Sequence, residues 1–357
     1  MALPEQLRFI AALDDPRPAL DWGLPQWQFA VHQARRLRLL ARLAQALDAQ
    51  GLLPHVPELP RRHLQAEIHL SRWRTTALQW TVERVGECLA PLGAPCLLLK
   101  GAAYLAQGLP NAPGRLPSDL DIMLPREHLQ RAVELLQQAG WQELALDEHD
   151  RRYYVEWSHE LPPMHHPVLS LELDVHHNIL PTTRRIGVDA ERLFAASRPL
   201  GGGPWSVLAP EDQVLHCAAH LFFDAEPRDR VRDLVDFVVL LRHFGLAAGF
   251  DAALVGRATQ LGLLEPLSLA LHFGAEWLDL ALSTTLRRAQ ASGPRLPIVR
   301  ALMRRLILPG PPGEPPPPGQ GLAAVLIKAR YQLDRLPLRQ LVAHALRRAR
   351  GRDHEAT

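Results

Sequence analysis

Lysine and cysteine are scarce in this sequence, and long apolar runs are absent from it. Only two of its 40 basic residues are lysines, Lys100 and Lys328. The three cysteines lie far apart without a Cys-x-x-Cys pair, which argues against a disulfide framework and favours free thiols in a reducing compartment. No window approaches the roughly 18 consecutive apolar residues of a transmembrane helix, and the N-terminus lacks the pattern of a signal peptide. We therefore expect a cytoplasmic protein without a membrane partner.

The sequence also has no large excess of basic over acidic residues, or of acidic over basic ones. The 357 residues carry a formal net charge of +2, so bulk charge does not indicate a nucleic-acid partner. Apolar residues make up 47% of the chain and charged residues 22%, which is ordinary for globular proteins and excludes extensive disorder. A chain of this length can form one large core or roughly two to three modest domains.

Hydrophobic periodicity divides the chain into helical ends and a mixed middle. Residues 1–92 predict a helical region, with apolar residues at helical spacing from Trp27 to Leu47. Residues 93–182 predict a core of strands and helices, and residues 183–308 a second helical domain. Residues 309–321 are a Pro/Gly-rich linker, and residues 322–357 a basic helix with a polar tail. The predicted fold class is α+β, with a small mixed β-sheet between N-terminal and C-terminal helical regions.

The middle region contains several short apolar runs that predict strands. Pro95–Lys100 follows a Gly/Pro signal and predicts a buried strand, after which Gly101 opens a short helix. Leu120–Leu124 predicts a second strand, and a helix begins at Pro125 because proline suits the first helical turn. Three further strands are predicted at Trp141–Leu146, Tyr153–Trp157 and Leu169–Val175.

The pair Asp119 and Asp121 is the strongest candidate for catalytic chemistry. Residues i and i+2 of a strand point to the same face, so the two carboxylates should project side by side. Two carboxylates so near to each other repel one another unless a cation lies between them. Hard divalent cations such as Mg²⁺ favour one or two carboxylates together with substrate phosphates. An isolated Asp-x-Asp is nevertheless common at exposed strand ends.

Two neighbouring segments strengthen the catalytic interpretation of the aspartate pair. Upstream, Lys100 and Gly101 end a strand at the start of a helix, where free N–H groups attract phosphate. Downstream, Leu171–His176 alternates between apolar and polar residues, placing Glu172, Asp174 and His176 on one face. A third carboxylate on a neighbouring strand would complete a two-metal site.

The order of these motifs resembles a known superfamily. Leu97-Leu-Leu-Lys-Gly-Ala-Ala103, Arg115-x-x-Ser-Asp-Leu-Asp-Ile-Met-Leu124, Ala139-Gly-Trp141 and Leu171-Glu-Leu-Asp-Val-His176 resemble the DNA polymerase β-type nucleotidyltransferases. Within that superfamily the chain is most similar to bacterial nucleotidyltransferases of unknown substrate, which carry Leu-Lys-Gly and Asp-Leu-Asp signatures. The resemblance covers roughly residues 92–180 and continues weakly into the second helical region.

The resemblance implies a set of site residues. Asp119, Asp121 and Asp174 match the three carboxylates that are catalytic and bind metal. Lys100 or Arg115 would contact the β- and γ-phosphates. The residues expected to bind the nucleotide are Lys100, Gly101, Ala102, Arg115 and Ser118. Alanine at position 102 cannot supply the hydroxyl that a Gly-Ser turn would offer.

The implied reaction transfers a nucleoside monophosphate from an NTP to a hydroxyl, with Mg²⁺ or Mn²⁺ as cofactor and ATP as the expected donor. The expected acceptor is a small molecule or a protein hydroxyl. A long nucleic acid is less favoured because basic and aromatic residues are not interleaved, and the oligomeric state is left open. Two alternatives remain: a non-catalytic binding or antitoxin-like module on the same fold, and a metal-dependent hydrolase.

Several other residues have competing interpretations. His176 could orient Asp174 or be a structural histidine, and the five histidines from His159 to His177 match no compact zinc motif. His216 and His220 have metalloprotease spacing but lack its glutamate. His220 and Asp236 are expected to join the helical domain to the core. Trp73, Trp80, Trp157 and Trp205 are expected to pack in the core or between domains.

Overall fold

The structure, a computed structural model, describes residues 5–144, 158–181, 187–201, 203–223, 227–292, 296–311 and 314–335. The predicted strand at 153–157, Trp157 and the basic segment after residue 335 lie outside the described residues.

The N-terminal region is helical, as its periodicity predicts. The longest helix in it has an apolar face of Leu64, Ile68, Leu78 and Val85, all buried. The predicted helical stretch Trp27–Leu47 is two helices, because Arg38 adopts a left-handed backbone conformation (φ 56°) between them. The helices are α1 (Ala11–Asp14), α2 (Leu24–Arg36), α3 (Leu40–Ala49) and α4 (Glu58–Leu89).

A seven-stranded mixed sheet forms the centre, which confirms the predicted α+β class. Its strands lie in the order β3-β4-β5-β2-β1-β7-β6. β2 pairs in parallel with β5, and β1 in parallel with β7, whereas the other pairs are antiparallel. The strands are β1 (Cys96–Leu98), β2 (Asp119–Met123), β3 (Gln142–Glu143), β4 (Met164–His165), β5 (Glu172–His176), β6 (Arg198–Pro199) and β7 (Trp205–Val207).

The first, second, third and fifth strands overlap predicted strands, with β3 lying inside the predicted strand Trp141–Leu146, whereas β4, β6 and β7 were not predicted. These three contain only two or three residues, too few to show a period of two. Along the chain, α5 (Lys100–Ala106) follows β1, and α6 (Leu129–Gln138) follows β2. Both begin close to where the sequence predicts a helix.

The C-terminal region is again helical. All but two residues of α8 are buried, including the polar residues Asp212, Gln213 and His216. The Pro/Gly segment at 309–321 connects α13 to α14, and the Gln33 amide donates to the carbonyl of Gly310 over 3.1 Å. The helices are α7 (Ala190–Ala196), α8 (Pro210–Phe222), α9 (Val231–Phe244), α10 (Phe250–Gln260), α11 (Leu264–Trp277), α12 (Thr284–Gln290), α13 (Leu296–Ile307) and α14 (Gln320–Arg335).

None of the helices described combines the length and apolarity needed to cross a membrane.

The tryptophans divide between core and surface. Trp205 is 9% exposed and packs against Gly86 of α4, as predicted. Trp73 and Trp80 are 53% and 51% exposed, so the prediction of core packing is wrong for these two. Both lie on a face of α4 that no described element covers enough to bury them.

Gly86 connects α4 to the sheet through a contact that no other residue could make. A Cβ atom at this position would lie 2.7 Å from Nε1 of Trp205, well inside van der Waals contact. We expect Gly86→Ala to lower the free energy of unfolding by about 1–3 kcal/mol, the usual cost of overpacking, although alanine is the better helix former.

Gly256 provides the matched control for this prediction. It lies in the interior of α10, is exposed, and has nothing within 4 Å of an added Cβ. Gly256→Ala should therefore raise the free energy of unfolding by up to about 1 kcal/mol. Denaturant titration of both variants checks the pair; a stabilising Gly86→Ala would contradict the packing described here.

Candidate functional site

The parallel pairing of β2 with β5 brings the predicted carboxylates together. In this register Asp121 lies opposite Asp174, and Asp119 lies opposite Glu172. Side chains that share a register position on neighbouring strands project from the same face. Asp119, Asp121 and Asp174 therefore belong to one carboxylate group, which we call the aspartate cluster.

The aspartate cluster lines a polar cleft of about 490 Å³. Six of the eight predicted site residues line it, including Lys100, Arg115 and Ser118. Of the other two, Ala102 is buried and Gly101 packs beneath the Arg115 side chain. The full lining is Arg36, Leu37, Arg38, Lys100, Arg115, Leu116, Ser118, Asp119, Asp121, Glu160, Asp174, His220, Arg228, Asp229, Arg230, Arg232 and Asp233.

Lys100 pairs directly with Asp121 at the junction of β1 and α5. Its Nζ donates to Oδ1 of Asp121 over 2.7 Å, and its backbone is left-handed, with φ at 43°. Burial favours the neutral amine, but the carboxylate of Asp121, helped by Asp119 and Glu160, outweighs burial and raises the pKa of Lys100. The one lysine of the middle region is therefore a charged partner of the cluster rather than a solvent-exposed strand end.

His176 is the second partner of Asp121. The sequence suggested that His176 could orient Asp174. In the structure its Nε2 lies 3.0 Å from Oδ1 of Asp121, so the histidine orients Asp121 instead. Burial would raise the pKa of Asp121, but Lys100 and His176 together hold it well below its ordinary value. Asp121 is thus ionised and neutralised within the protein.

Asp174 has no such partner. No cationic side chain within the described ranges forms an ion pair with it, and burial, followed by the charge of Asp121, raises its pKa to about 7. A divalent cation would remove this penalty, and oxygen ligands from clustered carboxylates suit Mg²⁺. The donor set therefore fits a divalent cation.

The aspartates are not drawn tightly together. Among the residues that the structure describes, the group of potential ligand atoms lying within 4.8 Å of one another is His159, Glu160 and His176, and it contains none of the three aspartates. The cluster shares a cleft without the close spacing of a preformed metal site.

Arginines from the helical regions supply the positive side of the cleft. Arg36 and Arg38 come from the end of α2 and the turn after it, and Arg228, Arg230 and Arg232 come from the turn before α9 and its first residues. Several are held in place: Nε of Arg36 donates to Asp229 over 3.0 Å. In general, guanidinium groups can make bidentate contacts to phosphate.

A family model described as "uncharacterised nucleotidyltransferase" matches residues 24–279. The chain belongs to this family. The match runs from α2 through α11, so it includes the aspartate cluster and every arginine of the cleft. No curated protein and no solved structure matches the chain significantly. Membership indicates a nucleotidyltransferase-type function.

Asp236 connects three elements that surround the cleft. It is 1% exposed, and accepts from Arg115 Nε over 3.0 Å and from Arg42 Nη2 over 3.0 Å. These contacts join α3, the loop before β2, and α9. Gly101 makes room for the arrangement, since a Cβ there would collide with Nη1 of Arg115. Arg115 was predicted to contact phosphate. Its Nε donates to Asp236, and the residue also lines the cleft.

Sequence reasoning missed several residues of this site. The cleft arginines are scattered among many other arginines in both helical regions, and no local motif distinguishes them. Glu160 belongs to no motif in the sequence. Asp236 was expected to join the helical domain to the core, but its two arginine partners lie more than a hundred residues away in sequence.

Removal of the Asp236 charge should be strongly destabilising. Asp236→Asn would leave two buried guanidinium groups without their counter-charge, and breaking a buried ion pair in this way costs about 3–5 kcal/mol. Asp14→Asn is the matched control, because Asp14 also pairs with an arginine, Arg242, but is 67% exposed. An exposed pair contributes about 0–1 kcal/mol. Equal effects of the two variants on the free energy of unfolding would contradict the role assigned to Asp236.

Proposed function

We propose that the protein transfers a nucleoside monophosphate from an NTP, with ATP as the expected donor, to a hydroxyl of a small-molecule or protein acceptor. One observation carries the proposal: the same cleft contains three clustered carboxylates from the sheet and five arginines from the helical regions. This combination matches a metal–triphosphate complex, whose cation needs oxygen ligands and whose phosphates need cationic donors.

The proposed transfer exchanges one phosphorus–oxygen bond for another. The acceptor hydroxyl oxygen forms a bond to the α-phosphorus, and the bond from that phosphorus to the bridging oxygen of the β-phosphate breaks. Pyrophosphate leaves with the electron pair of the broken bond. The hydroxyl proton passes to a carboxylate of the aspartate cluster, for which Asp174 is the candidate.

Each part of the cleft has a distinct role in this scheme. Asp119, Asp121 and Asp174 would hold Mg²⁺ or Mn²⁺, which when bound supplies charge neutralisation at the phosphoryl oxygens. The cleft arginines would position the β- and γ-phosphates. Lys100 and His176 fix Asp121 from the protein side. Ser118, exposed at the cleft edge, would contact the nucleotide.

Label transfer from α-labelled NTPs tests the proposal. The purified protein is incubated with each NTP, Mg²⁺ or Mn²⁺, and separated small-molecule and protein fractions of a cell extract, and pyrophosphate release is followed in parallel. In the Asp119→Asn/Asp121→Asn variant, transfer should fall by more than about a hundredfold, because even outer partners of a bound metal contribute about 10–100-fold. Asp14→Asn, which alters an exposed carboxylate outside the cleft, should retain the wild-type rate.

Two other outcomes would overturn the transferase proposal. Identical behaviour of wild type and the double variant would favour a non-catalytic binding module, in which the Lys100–Asp121 pair is purely structural. Label released only as free nucleoside monophosphate would indicate a hydrolase that uses water as the acceptor.

A further inference from the structure

Next to Asp121 lies a second group of potential metal ligands, of which the nucleotidyl-transfer scheme uses only His176, to fix Asp121. It consists of His159, Glu160 and His176, whose potential ligand atoms lie within 4.8 Å of one another. The backbone itself brings the group together, because Glu160 and His176 form an antiparallel bridge. The amide of His177 also donates to the carbonyl of His159 over 2.8 Å.

The hydrogen bonding of His176 leaves one of its ring nitrogens available as a ligand. Asp121 is held ionised by Lys100 and accepts at Oδ1, so Nε2 of His176 carries the proton that it donates to Asp121. Nδ1 is then the ring nitrogen that remains for a metal ion. His176 is 3% exposed, and its Nδ1 makes no hydrogen bond within the described structure.

Glu160 and His159 converge on the same place. Oε2 of Glu160 lies 3.3 Å from Nδ1 of His176, but the pair lacks the alignment of a hydrogen bond. Nδ1 of His159 is also buried without a hydrogen-bond partner among the described residues. Two buried imidazole nitrogens without hydrogen-bond partners, in a group that also holds a carboxylate, are unfavourable unless a cation or another ligand satisfies them.

We propose that His159, Glu160 and His176 bind a Zn²⁺-type transition-metal ion, separate from the cation of the aspartate cluster. Two imidazole nitrogens and one carboxylate oxygen form a borderline donor set that suits Zn²⁺ and is unlike the all-oxygen set that suits Mg²⁺. The spacing of these residues in sequence matches no compact zinc motif, which is why the histidines gave no such expectation.

The charge state of His159 agrees with this assignment. Burial, together with the nearby charges of His176 and Lys100, holds the pKa of His159 well below its ordinary value, so its imidazole is neutral. Metal binding requires a neutral imidazole. Lys100, the neighbouring cation, is engaged at Oδ1 of Asp121.

The proposed ion would act on the catalytic centre through His176. Metal-bound histidines characteristically donate their other ring N–H to a carboxylate, and here that carboxylate is Asp121. The ion would fix the His176 ring and its proton, and so hold Asp121 in place. His159 and His176 do not line the cleft and are positioning residues, whereas Glu160 also borders the cleft.

Cobalt(II) binding to the chelator-treated protein tests the proposal without any need for transferase activity. Co²⁺ replaces Zn²⁺ and reports four-coordinate N/O ligation by its visible absorption, while elemental analysis measures bound Zn²⁺. Wild type should bind one equivalent of either ion. His159→Ala and Glu160→Gln should each weaken Co²⁺ binding by more than about tenfold, since changes to outer partners alone cost about 10–100-fold.

Two sets of controls distinguish this site from the neighbouring histidine and from the aspartate cluster. His165→Ala removes a histidine of β4 whose Nδ1 is also unpartnered but which lies outside the group, and it should bind Co²⁺ like wild type. Asp119→Asn and Asp174→Asn should also retain the Co²⁺ spectrum. Circular dichroism and thermal unfolding establish that each variant is folded.

Absence of a Co²⁺ spectrum in wild type would overturn the proposal, as would equal affinity in wild type and the folded His159→Ala and Glu160→Gln variants. A protein that binds Co²⁺ as expected but transfers no nucleotide would contradict only the proposed function. A protein that transfers nucleotide but shows no Co²⁺ binding at this site would contradict only the proposed metal site.

Discussion

Negative charge is concentrated where β2 and β5 run side by side, because their parallel register sets Asp121 opposite Asp174. The surrounding structure offsets the electrostatic repulsion between Asp121 and Asp174 only in part. Lys100 and His176 both act on Asp121 and keep it ionised. Asp174 is left half-buried beside that charge, with a pKa raised to about 7. The aspartate cluster therefore lacks a positive charge beside Asp174. A cation that arrives with a nucleotide would supply that charge.

The positive side of the cleft depends on contacts between distant parts of the chain. Asp236 binds Arg42 from one helical region and Arg115 from the loop before β2, so it fixes α9 against the sheet. The arginines at the start of α9 then face the same cleft as the aspartate cluster. The family match covers both helical regions as well as the sheet, which agrees with a site built from all three.

The sequence predicted the elements with strong local patterns and missed those that depend on tertiary contacts. β1, β2 and β5 follow from apolar or alternating runs, and the i, i+2 spacing placed Asp119 with Asp121. β7 has three residues and is defined by its pairing with β1, which no local pattern reveals. The cleft arginines and Glu160 are likewise positioned by the fold. Trp73 was expected to be buried because aromatic residues at helical spacing usually are, but that face of α4 remains exposed.

The pH dependence of stability, with and without Mg²⁺, tests most directly the claim that the cluster lacks a positive charge. The pKa of Asp174 is about 7 in the folded protein, against an ordinary aspartate value of 3.8. The folded state therefore keeps the proton on Asp174 up to a higher pH than the unfolded state does. In chelator, wild type should therefore lose stability relative to Asp174→Asn as pH rises from about 4 to about 7. Mg²⁺ should restore wild type, but not the variant, above about pH 7. Parallel pH profiles for the two proteins, unchanged by Mg²⁺, would contradict the account.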